Sequence, residues 1–422
     1  MSDWQEVKLR ECISTLKGFA FKSKWYQPDG IPIVRVSDFT DNSISVDDIE
    51  YIPHDLAQEH SRYLLKTKDV IVQTVGSWQH NPVSIVGKVV NVPSNLNGAL
   101  LNQNAVKIIP NKTIDNNFLY YRLKDEHFKL HNLGCAQGAA NQASITLSSI
   151  GSFRFNLPPF PTQQKIAKIL SNYDDLIENN LKRIKLLEES SRLTYEEWFL
   201  RFRIDGKKLD IDPESGLPFG WLNKSFGDVF NINNGYAFKS GDYAEHGVPI
   251  LRTRDYSQTK WIKIDQPIYI SEELSQKYTK YYVQEYDLML IMVGASIGNY
   301  GVVLPNDTGL LQNQNQWAIR VNNGFEKYIF YKLLMMEDLI KNLLTKKTGA
   351  ARDFFRASFL KELDILLPDE DTVTLLNKTV QPTFEEINNL QHQNQLLKEA
   401  RDILLPRLMT GMIDTDELDI AI

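Results

Sequence analysis

The chain has 422 residues, of which 42% are hydrophobic and 24% charged, as expected for a globular protein of two or three domains. No apolar run reaches the roughly 18 residues of a membrane span, and the first residues lack the pattern of a secretory signal. The two cysteines exclude a disulfide framework and favour a reducing cytoplasm. The net charge of −6 comes mainly from residues 368–422, which carry four basic and eleven acidic side chains, so it does not exclude a nucleic-acid partner.

Short phrases recur about half a chain apart, in the same order and at nearly the same spacing. They extend over about 190 residues, a period far too long for a solenoid. The duplicated unit is therefore a globular piece followed by a long helix. The paired phrases are GFAFKS at Gly18 with GYAFKS at Gly235, GIPIVR at Gly30 with GVPILR at Gly247, and NQN at 102–104 with NQN at 313–315.

The globular pieces are rich in predicted strands. DVIVQTVG and GIPIVRVSDF in the first copy, and YDLMLIMVG and NQWAIRV in the second, are short apolar runs next to Gly, Pro and Asn. A shorter helical stretch follows in each copy. The pattern predicts an α+β fold with two duplicated mixed domains of about 150 residues each.

The long helices give the clearest periodic signal. Residues 162–202 contain no Pro or Gly, and apolar residues recur at steps of three and four in this segment and again from Val373 onward. Pro382 predicts a kink or a late start in the second helix. We expect the two apolar stripes to cover each other in an antiparallel coiled coil, with an inner seam that includes Leu181, Leu187, Leu390 and Leu397.

These patterns divide the chain into six predicted segments. They are a first domain at 1–157, a spacer helix at 158–203, a connector at 204–220, a second domain at 221–367, a second spacer helix at 368–412 and an acidic tail at 413–422.

Local signatures of catalysis are missing from the sequence. There is no GxxxxGK[ST] phosphate loop and no HExxH zinc pair, and seven scattered histidines do not form a metal-binding pattern. We therefore predict no catalytic residue, no metal and no cofactor in this chain.

The repeated phrases and the junction LPPFPTQQKIAKIL, with the helix that follows it, resemble the specificity subunit of type I restriction-modification enzymes. The resemblance covers essentially the whole chain. The second junction, LLPDEDTVTLLNK, lacks the QQKIA pattern.

The resemblance implies a non-catalytic subunit of the type I deoxyribonuclease and adenine methyltransferase complex. Each target-recognition domain would bind one half of a split, asymmetric site in double-stranded DNA, and the paired helices would set the gap. The partners would be two modification subunits, which methylate adenine N6 with S-adenosylmethionine, and restriction subunits, which use ATP and Mg²⁺. The location would be the cytoplasm.

Three alternatives stay open at the level of sequence. One is the specificity partner of a smaller system, in which methylation and cutting share one chain. The others are a self-contained restriction or methylating enzyme and a coiled-coil interaction protein that does not bind DNA.

Polar clusters in predicted loops are the candidate DNA contacts, because base edges and phosphates are bound by amide, hydroxyl and basic side chains. They should lie where the two copies differ. Helix faces such as Lys182-Arg183 and Glu188-Glu189 are candidates for docking the modification subunits. The DNA-binding candidates are Ser77, Gln79, His80, Asn81, Asn141 and Gln142 in the first domain, and Arg252, Arg254, Lys346, Lys347 and Arg352 in the second.

Overall fold

A computed structural model divides the chain into two compact units. Unit 1 comprises residues 1–178 and 395–422, and unit 2 comprises residues 179–394. Each unit thus holds one strand-rich domain and a segment of each long helix. The structure describes residues 4–40, 43–46, 48–78, 84–139, 142–256, 260–264, 266–294, 296–345 and 355–415.

The first domain is built from short strands and helices that end at the first long helix. Its strands are β1 Gln5–Lys8, β2 Ile13–Lys17, β3 Ile31–Val34, β4 Glu50–Ile52, β5 Val70–Gln73, β6 Val75–Gly76, β7 Val89–Asn91, β8 Leu100–Leu101, β9 Ala105–Pro110, β10 Gln137–Ala139, β11 Gln142–Ser144 and β12 Arg154–Leu157. Its helices are α1 Leu9–Cys12, α2 His54–Glu59, α3 Asn116–Lys124, α4 Glu126–Cys135 and α5 Leu147–Gly151, and the long helix is α6 Phe160–Tyr195.

The second domain repeats this order. Its strands follow a short connector pair, β13 Arg203–Ile204 and β14 Lys207–Lys208, and they are β15 Leu222–Ser225, β16 Phe230–Asn234, β17 Tyr243–Ala244, β18 Val248–Leu251, β19 Tyr269–Ile270, β20 Leu288–Ile291, β21 Tyr300–Val302, β22 Leu311–Gln312, β23 Gln316–Val321 and β24 Asp364–Leu367. Its helices are α7 Phe226–Val229, α8 Glu272–Ser275, α9 Ile329–Thr345 and α10 Ala357–Lys361, and the second long helix is α11 Glu370–Met409.

Two sheets and one strand pair of the first domain have counterparts in the second. An antiparallel sheet of order β2-β9-β5-β7 in the first domain matches β16-β23-β20-β21 in the second. A smaller sheet contains β4-β3-β8 in the first domain and β19-β18-β22 in the second, and its last pair is parallel in both. The pairs β1-β12 and β15-β24 close each domain. The predicted α+β class with duplicated domains is confirmed.

The first repeated phrase recurs because its glycine touches the NQN phrase. A Cβ on Gly18 would lie 1.8 Å from the carbonyl oxygen of Asn102, and a Cβ on Gly235 would lie 1.9 Å from that of Asn313. Only glycine permits such a close approach of two backbones. These residues are framework residues, a term used here for residues that make the same contact in both domains.

The NQN phrases form the same turn. In 102–104 and in 313–315 the side chain of the first asparagine accepts a hydrogen bond of 2.8 Å from the backbone N–H of the glutamine. The last asparagine of each, Asn104 and Asn315, has a φ of 67° and 71°. Asparagine tolerates this left-handed conformation better than most residues, which explains why the phrase was kept.

Each domain core holds a buried cation at the same position of its main helix. Arg122 in α3 donates to Asp125 at 3.2 Å, and its guanidinium lies over the ring of Phe153. Lys332 in α9 donates instead to the carbonyl oxygens of Tyr286 and Ile319, at 2.8 and 2.9 Å. Burial lowers the pKa of Arg122, and it lowers the pKa of Lys332 to about 8.

The two long helices agree with the periodic pattern in extent. The first continues beyond α6 into a π-helical turn, Glu196–Leu200. The second begins at Glu370 and runs through Pro382, so this proline does not mark a late start. Asp369 caps it, since its carboxylate accepts from the backbone N–H of Thr372 at 2.9 Å.

The helices pair antiparallel within each unit. In unit 1, Lys165 reaches the carbonyl oxygen of Thr415 at 3.2 Å, and Asp174 binds Arg401 at 2.5 Å. In unit 2, the amides of Asn180 and Asn394 form a hydrogen bond of 3.0 Å, and Arg183 binds Glu386 at 2.5 Å. In both units, as the chain advances along the first helix, its partner residues lie progressively earlier in the chain, from 415 to 401 in unit 1 and from 394 to 386 in unit 2.

The inner seam differs from the predicted one at a single step. Leu390 is buried, and Leu187 and Leu397 are half-buried, but Leu181 is 46% exposed. The prediction for Leu181 was wrong because the preceding residue, Asn180, occupies the seam position and is buried against Asn394. The amide of Asn180 donates to the side-chain oxygen of Asn394, whereas the Nδ2 of Asn394 is buried without a hydrogen-bond partner among the described residues.

Candidate nucleic-acid interface

Two of the candidate residues of the first domain, Ser77 and Gln142, lie at the same end of one small sheet. This sheet has the order β10-β11-β6, and Ala143 lies opposite Gly76. Because β11 and β6 are antiparallel, the start of β11 at Gln142 and the end of β6 at Gly76 lie at the same end. We call this end of the sheet, including Gln142 and Ser77, the recognition edge.

Ser77 lies at the start of the loop that follows β6 and is buried. Its hydroxyl is 3.0 Å from the hydroxyl of Ser84, and its backbone N–H donates to the carbonyl oxygen of Ser84 at 2.8 Å. These bonds join the two ends of the loop. DNA contact by Ser77 stays a prediction, and its described role is to hold the base of the loop.

Gln142 is exposed and begins β11 beside the hairpin tip. The hairpin is tight there, since a Cβ on Gly138 would lie 2.0 Å from the carbonyl oxygen of Gln142. The register of β11 with β6, carried one residue further, brings Gln142 next to Ser77. The other candidates of this domain, Gln79, His80, Asn81 and Asn141, lie outside the described residues.

The recognition edge is joined to the framework by bonds that recur in the second domain. In the first, Thr74 donates its N–H to the carbonyl oxygen of Asn104 at 2.7 Å and accepts from the N–H of Ile145 at 2.9 Å. In the second, Met292 donates to Asn315 at 3.1 Å and accepts from Phe355 at 2.9 Å. The second domain therefore makes the same bonds at the end of β20, and the candidates Lys346, Lys347 and Arg352 lie outside the described residues.

Arg252 is a framework residue. Its guanidinium binds the carboxylate of Asp255 at 3.2 Å and the carbonyl oxygen of Gln266, and its side chain is 12% exposed. In the first domain, Arg35 makes the same contact with Asp38. Sequence reasoning singled out the charge of Arg252, whereas the structure shows that its charge is already paired within the domain, so DNA contact by Arg252 stays a prediction.

Arg254 has a different environment on the same turn. Its side chain is 57% exposed, and its contacts with Asp255 at 3.9 Å and with Gln266 at 3.4 Å are long. The residue at the equivalent position of the first domain is Ser37. Arg254 is therefore exposed, positively charged and different from its counterpart in the first domain. These are the properties expected of a residue that reads DNA.

One further feature is common to the two domains but does not appear as an identical phrase in the sequence. Residues 60–63 read HSRY and residues 278–281 read YTKY, at equivalent positions before β5 and β20. Only the final tyrosine is identical, but the order of ring, hydroxyl, cation and phenol is the same. A comparison by side-chain chemistry would have detected it.

Metal and membrane sites are not indicated by the described residues. In that part of the chain, no group of three or more His, Cys, Asp or Glu side chains could hold a metal ion. None of the described helices is both long and apolar enough to span a bilayer.

Comparison with known proteins identifies the family. The family model of the type I restriction modification DNA specificity domain matches residues 1–189 and 218–398, one match for each copy of the repeat. The chain belongs to this family. Specificity subunits are non-catalytic components of type I restriction-modification complexes, in agreement with the prediction from the sequence.

Curated relatives match most of the chain. The MjaIX specificity subunit of Methanocaldococcus jannaschii is 25% identical over 327 residues, which cover 75% of this chain and 73% of the relative. The putative MjaX specificity subunit of the same organism is 24% identical over 424 residues, which cover 97% of this chain and 94% of the relative.

A solved structure shares the fold. The S subunit of a type I restriction-modification system from M. genitalium superimposes with a TM-score of 0.53 and 15% identity, over 96% of each chain.

Proposed function

We propose that this specificity subunit reads a split DNA site, with one half bound by each domain and the gap set by the paired helices. The observation that carries this proposal is the contrast inside the duplicated domains. Framework contacts such as those of Arg35 and Arg252 are the same, whereas the exposed residues on the same turns, Ser37 and Arg254, differ. Two domains with one framework and different exposed residues suit two different half-sites.

The helices supply the stiffness that a fixed gap needs. An α-helix rises ~1.5 Å per residue, and a paired helix holds a distance that a Gly/Ser linker would not. Polar pairs also fix the register of the helices. The hydrogen bond between Asn180 and Asn394 and the ion pair between Asp174 and Arg401 each join one residue of α6 to one residue of α11.

The experiment is methylation mapping in cells that express the chain with its modification subunit. Wild type should give one bipartite motif with one gap. Insertion of four residues into both α6 and α11, one turn in each, should lengthen the gap by about two base pairs while the half-sites stay the same. An unchanged gap in a folded variant would contradict the spacing role.

The proposed partners are two modification subunits, docked through equivalent apolar pairs on the outside of the helices. Leu186 and Leu193 in α6 are seven residues apart, and Leu396 and Ile403 occupy the equivalent positions in α11. All four side chains are between 45% and 70% exposed. A surface that occurs twice suits two copies of one partner.

The charged faces considered from the sequence are partly used inside unit 2. Glu188 accepts a hydrogen bond of 2.6 Å from the indole of Trp261, and Arg183 binds Glu386. Burial raises the pKa of Glu188. These contacts favour the apolar pairs as the docking surface.

Matched substitutions test the docking. Serine at Leu186 and Leu193 should remove one modification subunit from the complex, and serine at Leu396 and Ile403 should remove the other. The mass of the assembly by light scattering checks this result. Two subunits retained in the combined variant would refute this docking surface.

The chemistry of the complex belongs to the partners in this proposal. The modification subunits would use S-adenosylmethionine, the restriction subunits would use ATP and Mg²⁺, and the complex would act on DNA in the cytoplasm. This chain would supply sequence recognition and spacing.

A further inference from the structure

Half-buried aromatic rings and exposed cations occur together in the first domain. The ring of Phe19 lies 4.3 Å from that of His60 and 5.3 Å from that of Tyr63. Lys22 is exposed and its ammonium lies 5.4 Å from the ring centre of Trp25, and Arg62 is exposed and precedes Tyr63 in the chain. Within the described part of the chain, neither cation pairs with a carboxylate.

The second domain has the same surface with different residues. The ring of Tyr236 lies 4.6 Å from that of Tyr278 and 5.2 Å from that of Tyr281. Lys239 and Lys280 are exposed, and the ammonium of Lys280 lies 4.8 Å from the ring centre of Tyr281. Neither lysine has a carboxylate partner among the residues that the structure describes. We call each of these two patches the aromatic–cation surface.

Internal packing does not explain why this chemistry was kept. Packing constrains the size and shape of the rings, and Lys280 lies over the ring of Tyr281. Packing does not account for the exposed cation at Arg62 or for the exposed hydroxyls at Ser61 and Thr279. Both copies nevertheless keep a hydroxyl, a cation and a phenol in the same order, although the residues differ. A ligand that both domains share would account for this.

The aromatic–cation surface lies on the turn that supports the recognition edge. Phe19 forms a backbone bridge with Asn102, and the carbonyl oxygen of Tyr236 accepts from the N–H of Gln314 at 2.9 Å. Asn104, the last residue of the first NQN turn, bonds Thr74 at the strand end that leads into the recognition edge, and Asn315 makes the equivalent bond with Met292. In the first domain, residues 102–104 therefore connect the two surfaces.

We propose that the aromatic–cation surface of each domain is a sequence-independent contact with the DNA phosphate backbone. Arg and Lys neutralise phosphates, and Ser, Thr and Tyr hydroxyls donate hydrogen bonds to phosphate oxygens. Phosphates are the same at every site, so two domains with different half-sites keep the same chemistry here. The inference rests on the proposed function and adds the part of DNA binding that carries no sequence information.

Arg62→Ala, Lys280→Ala and their combination test the proposal in the assembled complex with modification subunits. Binding to a duplex that contains the mapped site, and to a scrambled duplex, is measured over a range of salt concentrations. Each single substitution should weaken binding to both duplexes by the same factor, about five- to tenfold at low salt. It should also reduce the slope of log K against log salt by about one, and the double variant by about two.

Lys112→Ala and Lys361→Ala are the matched controls, since both lysines are exposed and lie apart from the aromatic–cation surface. They should change neither affinity nor slope. Unchanged binding in the double variant, or a changed methylation motif, would overturn the inference. Loss of modification subunits from the double variant would assign the surface to a protein partner and would also overturn it. Wild-type complex that does not prefer its own site would refute the proposed function instead.

Discussion

The turn after β3 and the turn after β18 show how the two domains differ. Arg35 and Arg252 bind an aspartate three residues later in the same way, but Ser37 in one turn corresponds to Arg254 in the other. The arginine that shapes the turn is kept, and the exposed residue between it and the aspartate is free to change. Duplication has therefore preserved geometry and allowed the exposed chemistry to diverge.

The buried cations extend this comparison into the core. Arg122 has a carboxylate partner, whereas Lys332 has backbone carbonyls. Each charge has a polar partner, and an unpaired buried charge would cost far more than either arrangement. The Nε of Arg122 has no hydrogen-bond partner among the described residues, and the guanidinium lies over the rings of Phe153 and Phe155. The fold therefore accepts either cation if its charge finds an acceptor.

The largest expected effect comes from framework glycines. Gly18→Ala should destabilise unit 1, and Gly235→Ala unit 2, by about 3 kcal/mol or more, because the new Cβ would overlap a backbone carbonyl. Calorimetric unfolding of the full chain should show one transition shifted in each variant. Gly134→Ala is the control, since nothing lies within 4 Å of its new Cβ, and it should shift stability by about 1 kcal/mol at most. Equal melting profiles for Gly18→Ala and Gly134→Ala would refute the close-contact account.

The pH dependence of Lys332 should distinguish the two buried cations. Its folded pKa of about 8 lies below the ordinary value of 10.5, so the unfolded chain binds more protons between these values. Stability of unit 2 should therefore rise with pH from about 8 to about 10.5, by about 3 kcal/mol in total.

Lys332→Met should remove this rise, and exposed Lys341→Met should keep it. The check is urea unfolding across that pH range, taken as the difference between wild type and variant. An identical pH profile in Lys332→Met would contradict the assignment.

The Asn180–Asn394 pair should behave as a matched polar layer. Asn180→Leu alone removes the donor to the side-chain oxygen of Asn394, leaves that oxygen buried without this partner and should cost about 1–3 kcal/mol. Asn180→Leu with Asn394→Ile copies the residues at the equivalent seam positions, Leu390 and Ile184, and should recover most of the loss. Thermal unfolding checks this result, and additive losses in the double variant would refute the pairing.

The smallest effect on stability is expected at the exposed arginine. Arg254→Ala should leave the melting temperature unchanged and relax one half-site, with a loss of about 1–3 kcal/mol of discrimination at the contacted base pair. Arg252→Ala should instead lower the stability of unit 2, because it removes the bonds to Asp255 and Gln266. Methylation mapping and melting of both variants separate these outcomes. The assignment fails if Arg254→Ala keeps the motif intact.

The sequence was sufficient where a pattern had one physical cause. The repeated glycines and NQN turns predicted a shared framework, and steps of three and four residues predicted the long helices. The same reasoning placed Leu181 in the seam, because leucine is apolar, and could not foresee that Asn180 is satisfied by Asn394 from a segment more than 200 residues away.

The candidate site was harder to predict because polar residues serve two purposes. Ser77 and Arg252 have the chemistry of DNA contacts, but Ser77 closes a loop base and Arg252 closes a turn. A sequence does not show whether a hydroxyl or a guanidinium is already paired. The equivalence of Arg35 and Arg252 was visible in the repeated phrase and is the signal that separates framework from recognition.

Exchange of one domain is the most direct test of the claim that each domain reads its half-site independently while the paired helices set the gap. Residues 1–157 would be replaced by the first domain of a relative with a different methylation motif, and genomic methylation would be mapped with the same modification subunit. One half-site should change, while the other half-site and the gap stay the same. A change in both half-sites, or in the gap, would contradict the account.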